Sequence, residues 1–191
     1  MKNTARLLVA ALGSLVLACL LRAQSSPAIP APAAAPATAA APVAAAPAPP
    51  PPESHQFDFW LGEWEVVDKQ GNPGGKSHIE SIAEGNALLE NWDDGAGSTG
   101  KSINVYNPAK RRWQQFWAGN GSGVLELSGG LVNGSMVLTG DRPGKGGVKL
   151  IDRIIWTPNA DGTVRQHWEV SNDGGQTWRD NFDGVYRRKK P

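Results

Sequence analysis

Phe57-Asp58-Phe59-Trp60-Leu61-Gly62-Glu63-Trp64-Glu65-Val66 is the stretch that decides the fold. Its pattern predicts a helical turn or two over 56–61, followed by a first strand over 63–67. Gly62, at the junction, permits a sharp change of chain direction that a side chain would resist. Trp64 carries an indole large enough to fill one end of a β-barrel, and a cation stacked on its face would seal that end.

Beyond this opening there is no long apolar stripe of helical period. Short β-rich runs alternate with turn residues instead, predicting strands at 77–83, 87–92, 101–106, 112–117, 124–128, 135–139, 148–157, 163–171 and 178–187. Asn133-Gly134 and Asp161-Gly162 suit two-residue hairpins in which both central residues need positive φ. Glu84-Gly85-Asn86 suits a tight reversal, and Asn107-Pro108 starts a turn where Pro would break a central strand. About ten antiparallel strands joined mostly by hairpins give an all-β fold, either an up-and-down barrel or a sandwich. Closure into a barrel removes exposed edges.

The opening stretch resembles the start of lipocalin-like (calycin) barrels, in which a short 3₁₀ turn leads through Gly-x-Trp into the first strand. With Gly100-Lys101-Ser102, Asn104-Val105-Tyr106-Asn107-Pro108, Arg112-Trp113-Gln114-Gln115-Phe116-Trp117 and Gln166-His167-Trp168-Glu169, residues 55–188 resemble an uncharacterised family of bacterial exported proteins. That family is assigned a lipocalin- or nitrobindin-like barrel. The resemblance implies a fold, with Gly62, Trp64 and Arg187 or Arg188 in barrel closure, and no activity. Haem-binding relatives of this barrel class use a late axial histidine. His167 is the only late histidine here, and no other haem motif accompanies it.

The chain ahead of the domain divides in two. Lys2 and Arg6 precede an apolar run at 7–21, the length of a secretory signal core and short for a transmembrane span. One processing route cuts after Ala23, giving a signal peptide over 1–23. The other reads Val16-Leu17-Ala18-Cys19 as a lipobox and anchors the protein to a membrane through Cys19. Either route makes the protein exported, periplasmic or secreted. Residues 24–54 hold ten of the fifteen prolines and no aromatic residue, the composition of a disordered Pro/Ala-rich linker. Residues 55–191 form the domain. Cys19 is the sole cysteine, so the domain has no disulfide and depends on its core. After Ser54 there are sixteen basic and seventeen acidic residues, which excludes the basic field that nucleic-acid binding requires.

Several motifs read as structure. Ser171-Asn172-Asp173-Gly174-Gly175-Gln176-Thr177-Trp178 matches an Asp box, but one copy in so short a chain predicts a self-bonded hairpin, not a propeller. No Gly-x-Ser-x-Gly elbow, phosphate loop or metal-ligand spacing is present, and His55, His78 and His167 are scattered. The acids available for hydrolysis form no string that singles out an acid and a base. Strand parity places Glu90, Glu126, Arg153, His167 and Glu169 as polar groups facing a cavity, with Trp92 and Trp117 as aromatic contacts. The expected function is binding of a small, largely apolar molecule inside the barrel. An enzyme on the same scaffold (an isomerase or a hydrolase) and an envelope interaction domain with a filled core are the alternatives.

Overall fold

A computed structural model describes residues 48–121 and 123–190. The apolar run, Cys19 and residues 24–47 of the Pro/Ala-rich stretch lie outside the described residues.

Two 3₁₀ turns, Pro52–His55 and Asp58–Trp60, precede the sheet. Five strands follow: β1 (Gly62–Asp68), β2 (Pro73–Ile82), β3 (Ala87–Asp93), β4 (Thr99–Asn107) and β5 (Arg112–Gly119). The second five are β6 (Val124–Val132), β7 (Ser135–Pro143), β8 (Lys149–Pro158), β9 (Val164–Ser171) and β10 (Arg179–Arg188). Each pairs antiparallel with its neighbours in sequence, and β1 pairs with β10, so the ten strands close into an up-and-down barrel. Such a barrel is consistent with a calycin-like fold. The closing seam runs from Trp64 opposite Arg188 to Asp68 opposite Gly184.

The turns follow their residues. Asn133 and Gly134 both have positive φ, as a type I′ hairpin demands. At Asp161-Gly162 only Gly162 does, and the loop is longer than two residues: Asn159 N–H donates to Thr163 O across it. Asp161 is held out of the left-handed region because its carboxylate accepts from the backbone and hydroxyl of Thr163.

One end of the barrel is plugged by the opening stretch. Phe57 stacks on Trp60 at 5.0 Å and meets Trp113 and Trp156 edge-on at 5.7 and 5.2 Å. Trp64 Nε1 donates to Trp60 O, and Trp113 Nε1 donates to Gln56 Oε1. Phe57, Trp60, Trp64, Trp113 and Trp156 are all buried. Each such side chain contributes about 1.5–3 kcal/mol by leaving water. Arg188 supplies the lid: its guanidinium lies 4.5 Å from the Trp64 ring and donates to Leu61 O at 3.1 Å. Arg187 faces outward on the same strand, opposite Glu65, and is exposed. Gly62 has φ +129°, which the backbone can hold only with glycine at little cost, and a Cβ there would stand 2.5 Å from Arg188 Nη1 and displace the lid.

Candidate functional site

Inward-facing residues of successive strands meet in layers. Glu90 on β3 lies opposite Ser102 on β4, which lies opposite Trp117 on β5, which lies opposite Leu125 on β6. Nearer the mouth, Trp92 lies opposite Gly100 and Gly100 opposite Gly119. A Cβ on either of these glycines would run into the Trp117 indole, so their bareness is what lets the ring lie flat against β4 and β5. Gly75 makes the same room for Trp92.

Beyond the plug the interior opens into a cavity of about 200 Å³. Trp156 and Tyr186, which pack against Trp60, form its floor. Trp92, Trp117, Trp168 and Phe182 form aromatic walls, with Trp92 and Phe182 meeting edge-on at 6.1 Å. Trp168 is fixed in orientation because its Nε1 donates to Asp152 Oδ1 at 2.8 Å. Asp152 is itself buried and is held by Arg142, whose Nε donates to Oδ2 at 2.8 Å. Pairing between β6 and β7 ends at Ser128 opposite Thr139. Toward the mouth, Leu125, Leu127, Arg142 and Asp152 line a side cleft of about 300 Å³.

Glu90, which is 5% exposed, is the one carboxylate among the described residues that line the cavity, and Gln115, Gln166 and Asn181 add neutral amides. Ser102 Oγ donates to Glu90 Oε2 at 2.8 Å and Ser77 Oγ to its Oε1 at 3.3 Å. Behind Ser102 the chain of hydrogen bonds continues: Asn104 Nδ2 donates to Ser102 Oγ, and Gln115 Nε2 donates to Asn104 Oδ1. Burial pushes the Glu90 carboxyl up to about 7, the two serine hydroxyls pulling the other way. Tyr186 donates to Gln166 Oε1, and burial together with the Glu90 charge keeps its phenol protonated. The indole N–H of Trp156 is buried with no partner among the described residues.

Of the residues read from sequence as cavity-facing, Glu90, Trp92 and Trp117 line it. Arg153, His167, Glu169 and Glu126 do not, and their expected orientation is corrected. Ile154 lies opposite Trp168 and Trp156 opposite Gln166, and these are the inward residues. The other parity, Arg153, His167 and Glu169, therefore faces out. There Arg153 Nε donates to Glu169 Oε2 at 2.9 Å and its guanidinium covers Trp178 at 3.8 Å. His167 Nε2 lies 2.8 Å from Asp180 Oδ1. Glu126 is exposed on the outside of β6, between inward Leu125 and Leu127. His167, Asp180 and Asp183 come close enough together to hold a metal ion, but Lys69 already bridges both carboxylates and Arg165 pairs with Asp183.

The Asp box is the self-bonded hairpin expected. Asp173 accepts from the backbone N–H of Gln176 and Thr177 and from the hydroxyls of Ser171 and Thr177. These bonds, the Thr177 hydroxyl first, hold its carboxyl well below the usual carboxylate range. Trp178 Nε1 closes the loop on Gly175 O. Sequence reasoning did not single out Ser77, Ser102, Gln115, Gln166, Phe182 or Tyr186. Trp168 marks the inward face of β9 and so locates Gln166, while the others emerge only from the pairing around the barrel. No protein-family model matches the chain, and no curated protein matches it.

Proposed function

We propose that this is an exported binding protein of the lipocalin- or nitrobindin-like class, holding one small molecule in the open half of its barrel. The observation that carries this reading is the cavity of about 200 Å³ between Trp92, Trp117, Trp168 and Phe182. A ten-stranded barrel filled by side chains would have no such space. For scale, an engineered apolar cavity of about 150 Å³ accepts benzene, so the closed part of this site suits a single-ring body with a short substituent. Export follows from the positively flanked apolar run at 7–21, with the Pro/Ala-rich stretch as a spacer. Lipidation at Cys19 would tether the barrel to a membrane, and cleavage after Ala23 would release it.

Binding is favoured over catalysis because the cavity offers one carboxylate. Of the acid-and-histidine cluster an enzyme reading invoked, only Glu90 lines it, while His167 and Glu169 lie on the outer face. A haem reading would need His167 inside. A filled-core interaction domain would leave no cavity.

Filling the site should alter indole fluorescence from Trp92, Trp117 and Trp168. A ligand at a hundred times its Kd should stabilise the fold by about 2.7 kcal/mol. The full chain is titrated with fatty acids, retinoids, haem, phenolics and single-ring amines. No change in fluorescence or melting temperature with any of them would overturn the reading.

A further inference from the structure

We propose that the cavity selects a cationic amine carried on a flat apolar body, with the ammonium group against Glu90 and the flat part among Trp92, Trp117, Trp168 and Phe182. This rests on the cavity being the ligand site and names the chemistry it accepts.

The argument begins with charge pairing. Two acids are fully buried among the described residues, Glu90 and Asp152. Asp152 has Arg142 as its partner. The acids with largely covered side chains are matched in the same way, Glu169 by Arg153 and Asp183 by Arg165 and Lys69. Glu90 alone among these acids has no cation. A buried carboxylate without one is costly, since desolvation is not offset by attraction. The two serine hydroxyls occupy about two of its four acceptor positions, and the remainder are available on the cavity side.

The surroundings point to the same sign of charge. No Lys, Arg or His among the described residues lines the cavity. The groups facing Glu90 are Ser77 from β2, Ser102 from β4 and the neutral Tyr186 phenol from β10. Gln115 of β5, which also lines the cavity, is linked to Glu90 by hydrogen bonds through Asn104 and Ser102. The walls add three indoles and a phenyl ring, whose faces carry negative potential and attract cations. An anion placed here would meet a carboxylate and six aromatic rings, with the neutral amides of Gln115, Gln166 and Asn181 between them, while Arg142 of the adjoining cleft is already paired with Asp152. An ammonium would supply the missing partner of Glu90, and its flat body would stack on the indoles.

Affinity for such a ligand requires Glu90 ionised. With the free carboxyl at about 7, binding is near its maximum at pH 8. It weakens as pH falls, by about 30-fold at pH 5.5, because the ligand must then compete with a proton.

Three probes of matched shape test this on the full chain by calorimetry at pH 8 and pH 5.5: phenethylamine, 2-phenylethanol and phenylacetate. The expected result is phenethylamine at least tenfold tighter than 2-phenylethanol at pH 8, with phenylacetate weakest, and with the amine's advantage lost at pH 5.5. Glu90→Gln should equalise the amine and the alcohol while retaining cooperative unfolding. The comparison of probes on the unaltered chain decides the matter even if that variant fails to fold. Equal binding of amine and alcohol would overturn the amine assignment and leave the cavity as a ligand site. Binding of a neutral or anionic compound from the wider panel, with no binding of the amine, would do the same. Silence of every compound would overturn both this inference and the binding function.

Discussion

Replacing Glu90 by Gln should stabilise the protein at alkaline pH, and by an amount the site itself sets. The side chain keeps its volume, and Gln can still accept from Ser77 and meet Ser102, so packing is conserved. What disappears is a charge in a cavity without a cation. The folded carboxyl sits at about 7 against an ordinary value of 4.5, a gap worth about 3 kcal/mol. The sign is fixed by where the proton resides. Below about pH 4.5 both folded and unfolded chains hold it and the acid is harmless. Between pH 4.5 and 7 the unfolded chain releases it and the folded chain does not, so wild-type stability falls by up to about 1.4 kcal/mol per pH unit. Above pH 7 both are ionised and the full cost of about 3 kcal/mol is present. Urea unfolding of wild type and Glu90→Gln at pH 5, 6, 7 and 8 should therefore show the variant's advantage growing by about 2–3 kcal/mol across the series. Titrations shared by both proteins cancel in that difference. The acids whose values are lowered, such as Asp183 at about 2, act in the opposite sense and at lower pH. An advantage that stays constant from pH 5 to 8 would refute the reasoning, because it would mean that Glu90 titrates like an acid in water.

Removing the lid with Arg188→Ala should cost about 1–2 kcal/mol in urea unfolding, from the lost cation–π contact and the bond to Leu61 O. Affinity for a cavity ligand should be unchanged, since Arg188 lies at the plugged end. Gly119→Ala should push the Trp117 indole off its seat and weaken binding of any cavity ligand about tenfold or more. A shifted Trp emission spectrum would accompany that loss. His167→Ala, on the outer face beside Asp180, should leave ligand affinity within twofold of wild type, whereas a loss of tenfold or more would return His167 to the site.

The closed half of the molecule was legible in the sequence because its residues obey simple rules. Gly62-x-Trp64, the aromatics before it and a terminal arginine each have one physical use in a barrel end, and they are found in it. All ten strands were legible because turn residues bracket them. The cavity was only half legible, and β4 and β5 explain why. Their inward faces carry Ser102, Asn104 and Gln115, while Ile103 and Phe116 stand on the outside, 49% and 50% exposed. A reader who assigns apolar residues to the core therefore inverts β4, whereas on β5 Trp113 and Trp117 mark the inward face and only Gln115 between them is missed. On β8 and β9 both faces mix charge and bulk, so Arg153, His167 and Glu169 looked as eligible as Asp152, Gln166 and Trp168. Only the pairing around the barrel, which is set by residues far apart in sequence, separates the two faces.

That inversion is confined to one place, and the place is informative. At the plugged end the buried side chains are large and apolar, and among the described residues the buried polar atoms left without a partner are the indole nitrogens of Trp60 and Trp156. In the open half, β2 to β5 turn two serines, an asparagine, a glutamine and an uncompensated glutamate inward, and bare glycines seat two tryptophans over them. None of this helps the barrel fold. Apolar residues on those faces would bury more area, and an acid at position 90 lowers stability at neutral pH. Local departures from the patterning rules that cost stability, and that converge on a single space, are what a binding site imposes on a fold that does not otherwise need them. The hydrogen-bond chain from Gln115 through Asn104 and Ser102 also leads to Glu90 and stops there. It holds the carboxylate in one orientation while leaving its cavity side open, an arrangement suited to presenting a fixed charge to a guest.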